Sequence, residues 1–246
     1  MEMRKKELVK RYVVYVLGVY VLAMGLAMII TSTLGTSPIS SWSYVMSCNT
    51  PLSVGTYTFI INMALIAGQF MVLRHHGLRR QAVNIGLQIP FSFMFSAFID
   101  FNIWLLKAAG PTVLHPFGES ALPLYAYCVL LLALGCFIQS VGVLLEVKAG
   151  VTMMSGEAFV YYICTRWSKE FGKVKVTFDV VLVLLAVISS VGFSLAESNG
   201  NLNIDTILKG LFGAVREGTI VAALSVGQIV RLLAKHSAWI DKWCMK

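Results

Sequence analysis

Charge is scarce in this sequence: Asp, Glu, Lys and Arg make up 13% of its 246 residues, against roughly 25% in a soluble globular chain. With 57% apolar residues the chain has too little polar material to cover a water-facing surface, so an integral membrane protein is expected. Cysteine is sparse too. Cys48, Cys128, Cys136, Cys164 and Cys244 form no C-x-x-C pair and have no histidine at ligand spacing, which argues against a disulfide framework or a zinc site and for thiols packed as small hydrophobes. No metal or cofactor is expected. The apolar runs contain no His and no paired carboxylates on one helix face, and Ser155 in "MSGEAF" has no neighbouring base. Nucleophilic and acid–base catalysis therefore lack their parts, and the chain is not expected to be an enzyme. The net charge of +8 reads as basic cytoplasmic loops; no nucleic-acid partner is expected, and the lipid bilayer is the partner the composition demands.

What is abundant is long apolar runs. Six of them, at 12–30, 54–73, 83–106, 124–145, 176–195 and 204–233, are each long enough to cross a hydrocarbon core of about 30 Å. The first follows Arg4, Lys5, Lys6, Lys10 and Arg11 but is longer than a signal-peptide core, so it reads as a retained helix. Two further stretches, 38–49 and 151–165, are too short to cross and have the length of re-entrant helices. Lys and Arg cluster in the N-terminal tail, in 74–80, in 166–175 and in the C-terminal tail, and are missing from 108–123 and 196–203. The positive-inside rule then places both termini in the cytoplasm, and the assignments agree only if each short stretch returns to the side it came from.

The same order of elements occurs twice: span, short helix, span, span. Three crossings per half give the halves opposite orientation. The expected fold is all-α, one membrane domain over 1–246, with six transmembrane helices plus two short re-entrant helices in an inverted 3+3 repeat, half one at about 11–107 and half two at about 121–233. Residue matches are few: Gly35 with Gly150, Ser40 with Ser155, Tyr44 with Phe159, Val45 with Val160, and Thr58-Phe59 with Thr177-Phe178. An inverted repeat with interrupted segments in corresponding positions points to a transporter with its site near the midplane.

The candidate site follows from that. In "LGTSPISSW" Gly35 permits a bend, Ser37 is a candidate N-cap, Pro38 suits the first helical position, and Ser40, Ser41 and Ser43 keep the first turns polar. "AGVTMMSGEAF" offers Thr152, Ser155 and Gly156 in the same role and adds Glu157. Such an N-terminus carries free N–H donors for an anionic or carbonyl group. Arg216 and Glu217 fall near the centre of the sixth run, where charges are costly and face a cavity or each other. Adjacent residues point about 100° apart on a helix, so each is expected to find its partner on another segment, with Asp179 and Glu157 as candidates for Arg216. Asn84 and Gln88 share one face beside Pro90, and Asn62, Gln69, Gln139 and Ser140 are candidates to line the same cavity. Asp100, Glu119, Glu146 and Asp205 fall near span ends and are expected to be solvated or interfacial.

The Gly35-Thr36-Ser37-Pro38 turn, the 55–62 helix start, and the Arg216-Glu217-Gly218-Thr219 box with Gly227 resemble the YczE/YyaS/YitT group of bacterial integral membrane proteins over nearly the whole chain. The resemblance implies a protein of the bacterial inner membrane and little about substrate. In related sequences Trp and Asp often follow the turn; here Ile39 and Ser40 follow, which weakens any charge-based role for that half-helix. The expected function is a secondary transporter or facilitator for a small polar or anionic solute, with Glu157 and Glu217 as coupling residues and Arg216 binding an anionic group. The alternative is a non-transporting membrane scaffold or accessory subunit whose polar groups only pack helices. Substrate, coupling ion and oligomeric state are not legible.

Overall fold

The computed structural model describes residues 5–73, 78–109, 121–197 and 216–236. Among them are eight helices: α1 (Lys5–Thr31), α2 (Pro38–Asn49), α3 (Val54–Leu73), α4 (Leu78–Ala108), α5 (Ala121–Ala149), α6 (Ser155–Trp167), α7 (Phe171–Glu197) and α8 (Glu217–His236). Six of these, all but α2 and α6, are long and apolar enough to cross a membrane. The run at 38–49 is a helix of 12 residues, and the run at 151–165 becomes helical only at Ser155, in a helix of 13 residues that ends at Trp167. The sixth run begins as a described helix only at Glu217; its stretch 204–215, with Asp205, lies outside the described residues, as do Glu119 and Cys244.

The pattern of exposure is the reverse of a soluble protein's. Gln69 is fully buried and Gln88 nearly so, while Met71, two residues from Gln69, is 80% exposed, and Val83, Phe93, Ile188 and Leu224 also face outward. Lipid is as apolar as a protein core, so apolar side chains gain nothing by hiding from it. Polar ones must find partners inside.

α1 and α5 form the central antiparallel pair. Arg11 Nη1 donates to Ala149 O at 3.4 Å at one end, and farther along a Cβ on Gly25 would collide with the backbone of Gln139, and one on Gly142 with the backbone of Leu22. Only glycine lets the two backbones approach this closely, which is how membrane helices gain packing energy without a hydrophobic driving force. Tyr15, Val19, Leu26, Phe91, Phe95 and Ile99 fill the core between α1 and α4, with Tyr15 and Phe91 edge to face at 4.5 Å.

α1 stops at Thr31 roughly ten residues, or about 15 Å, short of the beginning of its antiparallel partner α5. Its end is therefore recessed. The last carbonyls are satisfied locally: Ser32 N donates to Met28 O at 3.0 Å, Ser32 Oγ to Ile29 O at 2.6 Å and Thr33 N to Ile30 O at 3.2 Å. α5 likewise ends short of the beginning of α1. Each break is followed by a glycine at positive φ, Gly35 at 140° and Gly150 at 60°, and then by a short helix. The short helices exchange partners: α2 packs on α7 and α6 on α3, while α4 flanks α1 and α8 flanks α5. Trp42 Nε1 donates to Ser189 Oγ at 3.2 Å across the α2–α7 contact.

Candidate functional site

The first turns of the two short helices meet. Ile39 of α2 lies over Gly156 of α6, so closely that a Cβ there would strike the Ile39 side chain. From this crossing the structure opens in two directions.

At the end of the bundle where α1 begins, a cavity of about 590 Å³ is lined by Gln81, Asn84, Gln88, Glu146, Glu157 and Tyr161 among others. Gly150 and Thr152 bring the chain across it, with Thr152 Oγ1 donating to Asn84 O at 3.3 Å. Glu146, 4% exposed, reaches from α5 to the start of α6, where its Oε1 accepts the Met154 N–H at 3.0 Å. A carboxylate there satisfies a donor that the helix leaves free and complements the helix dipole. Glu146 is thus a buried cap and not a solvated end residue: the recessed start of α6 folds back over it. Glu157 is half-buried on the cavity wall, within electrostatic reach of Glu146 and of Lys175 and Asp179. Asp179 itself is held by Lys175 one helical turn away, at 2.7 Å.

Behind the cavity wall runs a chain of buried hydrogen bonds. Gln69 Nε2 donates to Gln88 Oε1 at 2.8 Å and Gln88 Nε2 returns a bond to Gln69 Oε1 at 3.0 Å. Gln69 Nε2 also donates to Ser155 O at 3.1 Å, and Ser155 Oγ donates to Asn62 Oδ1 at 2.7 Å. Asn62 and Gln69 sit behind the cavity lining and belong to this chain. Gln139 and Ser140 do not: Ser140 Oγ bonds Cys136 O and Val226 O, on the side of α5 that meets α8, and Gln139 packs against Gly25 of α1.

At the opposite end a second cavity, of about 360 Å³, is lined by Thr33, Tyr44, Ser47, Cys48, Lys107 and Tyr127 among others. It borders the recessed end of α1 and one side of α2. Ser37 occupies the N-cap position of α2 without a side-chain capping bond; its Oγ pairs with Ser40 Oγ at 3.0 Å, and Ser41 Oγ donates to Ser37 O at 3.1 Å. The three serines thus hold the turn.

That turn docks on the start of α8. Gly218 N donates to Leu34 O at 2.8 Å and Thr36 N to Thr219 Oγ1 at 3.2 Å, so the two motifs quoted above, nearly two hundred residues apart in sequence, form one junction. Arg216 does not pair with Asp179 or Glu157. Its Nη1 donates to Thr33 O at 2.7 Å and its Nη2 lies 3.6 Å from Glu217 Oε1. The 100° separation that argued against a neighbour pair applies within a helix, and Arg216 stands just before one. Of the nine candidate residues, Gln88 and Glu157 line the larger cavity, Ser155 is bonded behind its wall to Gln69 and Asn62, Asp179 is held by Lys175, and Ser37, Ser40, Ser41, Arg216 and Glu217 gather at the α2–α8 junction. Glu146 was misread, and its signal was the glycine turn four residues later, which marks a helix end with a chain doubling back.

Six apolar helices with a polar interior define a multi-pass integral membrane protein. The chain belongs to the family of unknown function DUF6198, whose model matches residues 9–235. Nothing in that match names the YczE/YyaS/YitT group. No curated protein and no solved structure matches the chain.

Proposed function

We propose that this protein is a secondary transporter or facilitator for a small polar or anionic solute, built as an inverted 3+3 repeat with α2 and α6 as re-entrant helices. The observation that carries the reading is the pair of cavities at opposite ends of the bundle, each bordering one short helix, with the first turns of those helices in contact at Ile39 and Gly156. Support for the repeat comes from the antiparallel α1–α5 pair, from the exchange of α2 and α6 between halves, and from the positive φ of both Gly35 and Gly150. The larger cavity reaches the start of α6 at Met153 and Glu157, and the smaller one borders the later turns of α2 at Tyr44, Ser47 and Cys48; openings on opposite sides of two short helices are what alternating access requires. The basic loops support a cytoplasmic location for both termini, which would make the larger cavity the inner one; the bacterial inner membrane is what the resemblance to the YczE/YyaS/YitT group implies.

Within this reading Glu157 remains the coupling candidate, because it faces the cavity. Arg216 and Glu217 are better suited to holding the α2–α8 junction, since they bond Thr33 O and each other. That part agrees with the scaffold alternative. The deciding experiment is flux: purified protein in liposomes, challenged with gradients of glycerol, urea, glycine and formate and followed by stopped-flow light scattering. The transport reading expects at least one probe to cross faster than in empty liposomes. Equal rates for all four would favour the scaffold.

A further inference from the structure

The Gln69–Gln88 pair is one end of a longer polar seam between α3 and α4. These helices run antiparallel, with Phe59 opposite Phe93 (ring centroids 5.9 Å apart), Gln69 opposite Gln88, and Gly55 against the Ser96 carbonyl. In this register Asn62 lies at the level of Ser92 and Thr58 at that of Ser96. Thr58, Asn62 and Gln69 repeat at helical spacing on α3, and Gln88, Ser92 and Ser96 on α4. All six are buried, none more than 6% exposed. Three of their polar atoms, Asn62 Nδ2, Ser92 Oγ and Ser96 Oγ, have no hydrogen-bond partner among the described residues. Beyond Ser96 the seam reaches Asp100, whose carboxylate accepts from Gly55 N at 2.8 Å and from Ser53 Oγ at 2.6 Å near the opposite end of the bundle.

Unpartnered hydroxyl and amide groups in a membrane interior are costly and are found where something else supplies their partners. We propose that this seam is the solute path, closed toward the larger cavity by the reciprocal Gln69–Gln88 amide pair, and that it takes an uncharged hydrogen-bonding solute of the polyol or amide class. The inference rests on the transport reading and narrows it. The six seam residues carry no charge, its far end holds the carboxylate of Asp100, and the near cavity holds Glu146 and Glu157. Cations stand at both mouths as well, Arg11 and Lys175 beside the acids of the larger cavity and Lys107 in the smaller one, but between the mouths neither an anion nor a cation would find a counter-charge. A neutral solute needs what the seam offers, donors and acceptors in alternation.

The test uses single cysteines in a full-length background lacking the five native ones, in membrane vesicles. Ser92→Cys and Ser96→Cys probe the seam; Phe91→Cys and Phe95→Cys, in the apolar core of the same helix, are controls. Each is treated with methanethiosulfonate reagents bearing neutral, cationic or anionic heads. The seam thiols are expected to react with the neutral reagent at least ~10-fold faster than the controls, because a thiol in a dry apolar core does not ionise, and more slowly with the anionic one. Adding Gln88→Leu is expected to raise their rate further from the side of the larger cavity. Seam thiols no faster than the controls, with or without Gln88→Leu, would overturn the proposal. If Cys48 and Thr152→Cys, one in each cavity, still react from opposite sides, the vestibules stand and only the path is wrong.

Discussion

Replacing Gly35 with alanine attacks the junction that seats α2, and its cost follows from three contributions. The residue sits at φ 140°, a region nearly closed to side chains, which costs about 1–3 kcal/mol. An added Cβ would lie 2.6 Å from Thr219 Oγ1 and 2.7 Å from Thr219 N, so the turn must lift away from α8. Lifting breaks the Gly218 N to Leu34 O and Thr36 N to Thr219 Oγ1 bonds, each worth about 0.5–1.5 kcal/mol net. The sum, roughly 2–6 kcal/mol, is a large share of the about 5–15 kcal/mol that holds a typical fold. Gly86, exposed on α4 with nothing within 4 Å of its would-be Cβ, is the matched control; alanine there gains helix propensity of up to about 1 kcal/mol. Heating detergent-solubilised protein and measuring the surviving monodisperse fraction separates the two. Gly35→Ala should lose its folded peak well below the wild-type temperature and Gly86→Ala should not. A Gly35→Ala protein as heat-resistant as wild type would refute the docking of the turn on α8.

Glu146→Leu should destabilise by about 1–3 kcal/mol, since it orphans the Met154 N–H, whereas Glu146→Gln keeps an acceptor and should cost less in the same heating assay. Gln69→Leu takes both bonds from the Gln88 amide and Gln88→Leu leaves Gln69 Oε1 without its donor while Gln69 Nε2 keeps Ser155 O, so the double variant should be less destabilised than the sum of the singles, by about 0.5–3 kcal/mol in a double-mutant cycle; strict additivity would deny the pair. Arg216→Met with Glu217→Leu removes an ion pair whose side chains are 44% and 50% exposed; a change of no more than about 1 kcal/mol is expected from the pair itself, and retained solute flux would confirm that neither residue carries coupling.

Hydropathy runs and their lengths were enough to find five of the spans, the later part of the sixth and the two short helices, because those signals are local. Gly35 was readable as a turn for the same reason, whereas in the second stretch the turn falls at Gly150 and not at Gly156, which lies inside α6. Partnership is not local. Glu146 stands a few residues from the end of a span and so looked interfacial, yet the level at which a neighbouring chain doubles back decides whether that position meets water. A distant partner for Arg216 follows only if the residue lies within a helix; its position one residue before α8 lets it reach both Glu217 and Thr33 O. The seam polarity was visible as Thr58, Asn62 and Gln69 and as Gln88, Ser92 and Ser96 at helical spacing, but only the antiparallel register of α3 and α4 aligns the two rows.

The central claim is that two water-filled vestibules open to opposite sides of the membrane and end on the two short helices. Native Cys48 is exposed and borders the smaller cavity, and Thr152 borders the larger. With the other four cysteines removed, Cys48 alone should be labelled by a membrane-impermeant maleimide only from the periplasmic face. In a chain lacking all five, Thr152→Cys should be labelled only from the cytoplasmic face. Labelling of both from one face, or of neither from either, would contradict the account.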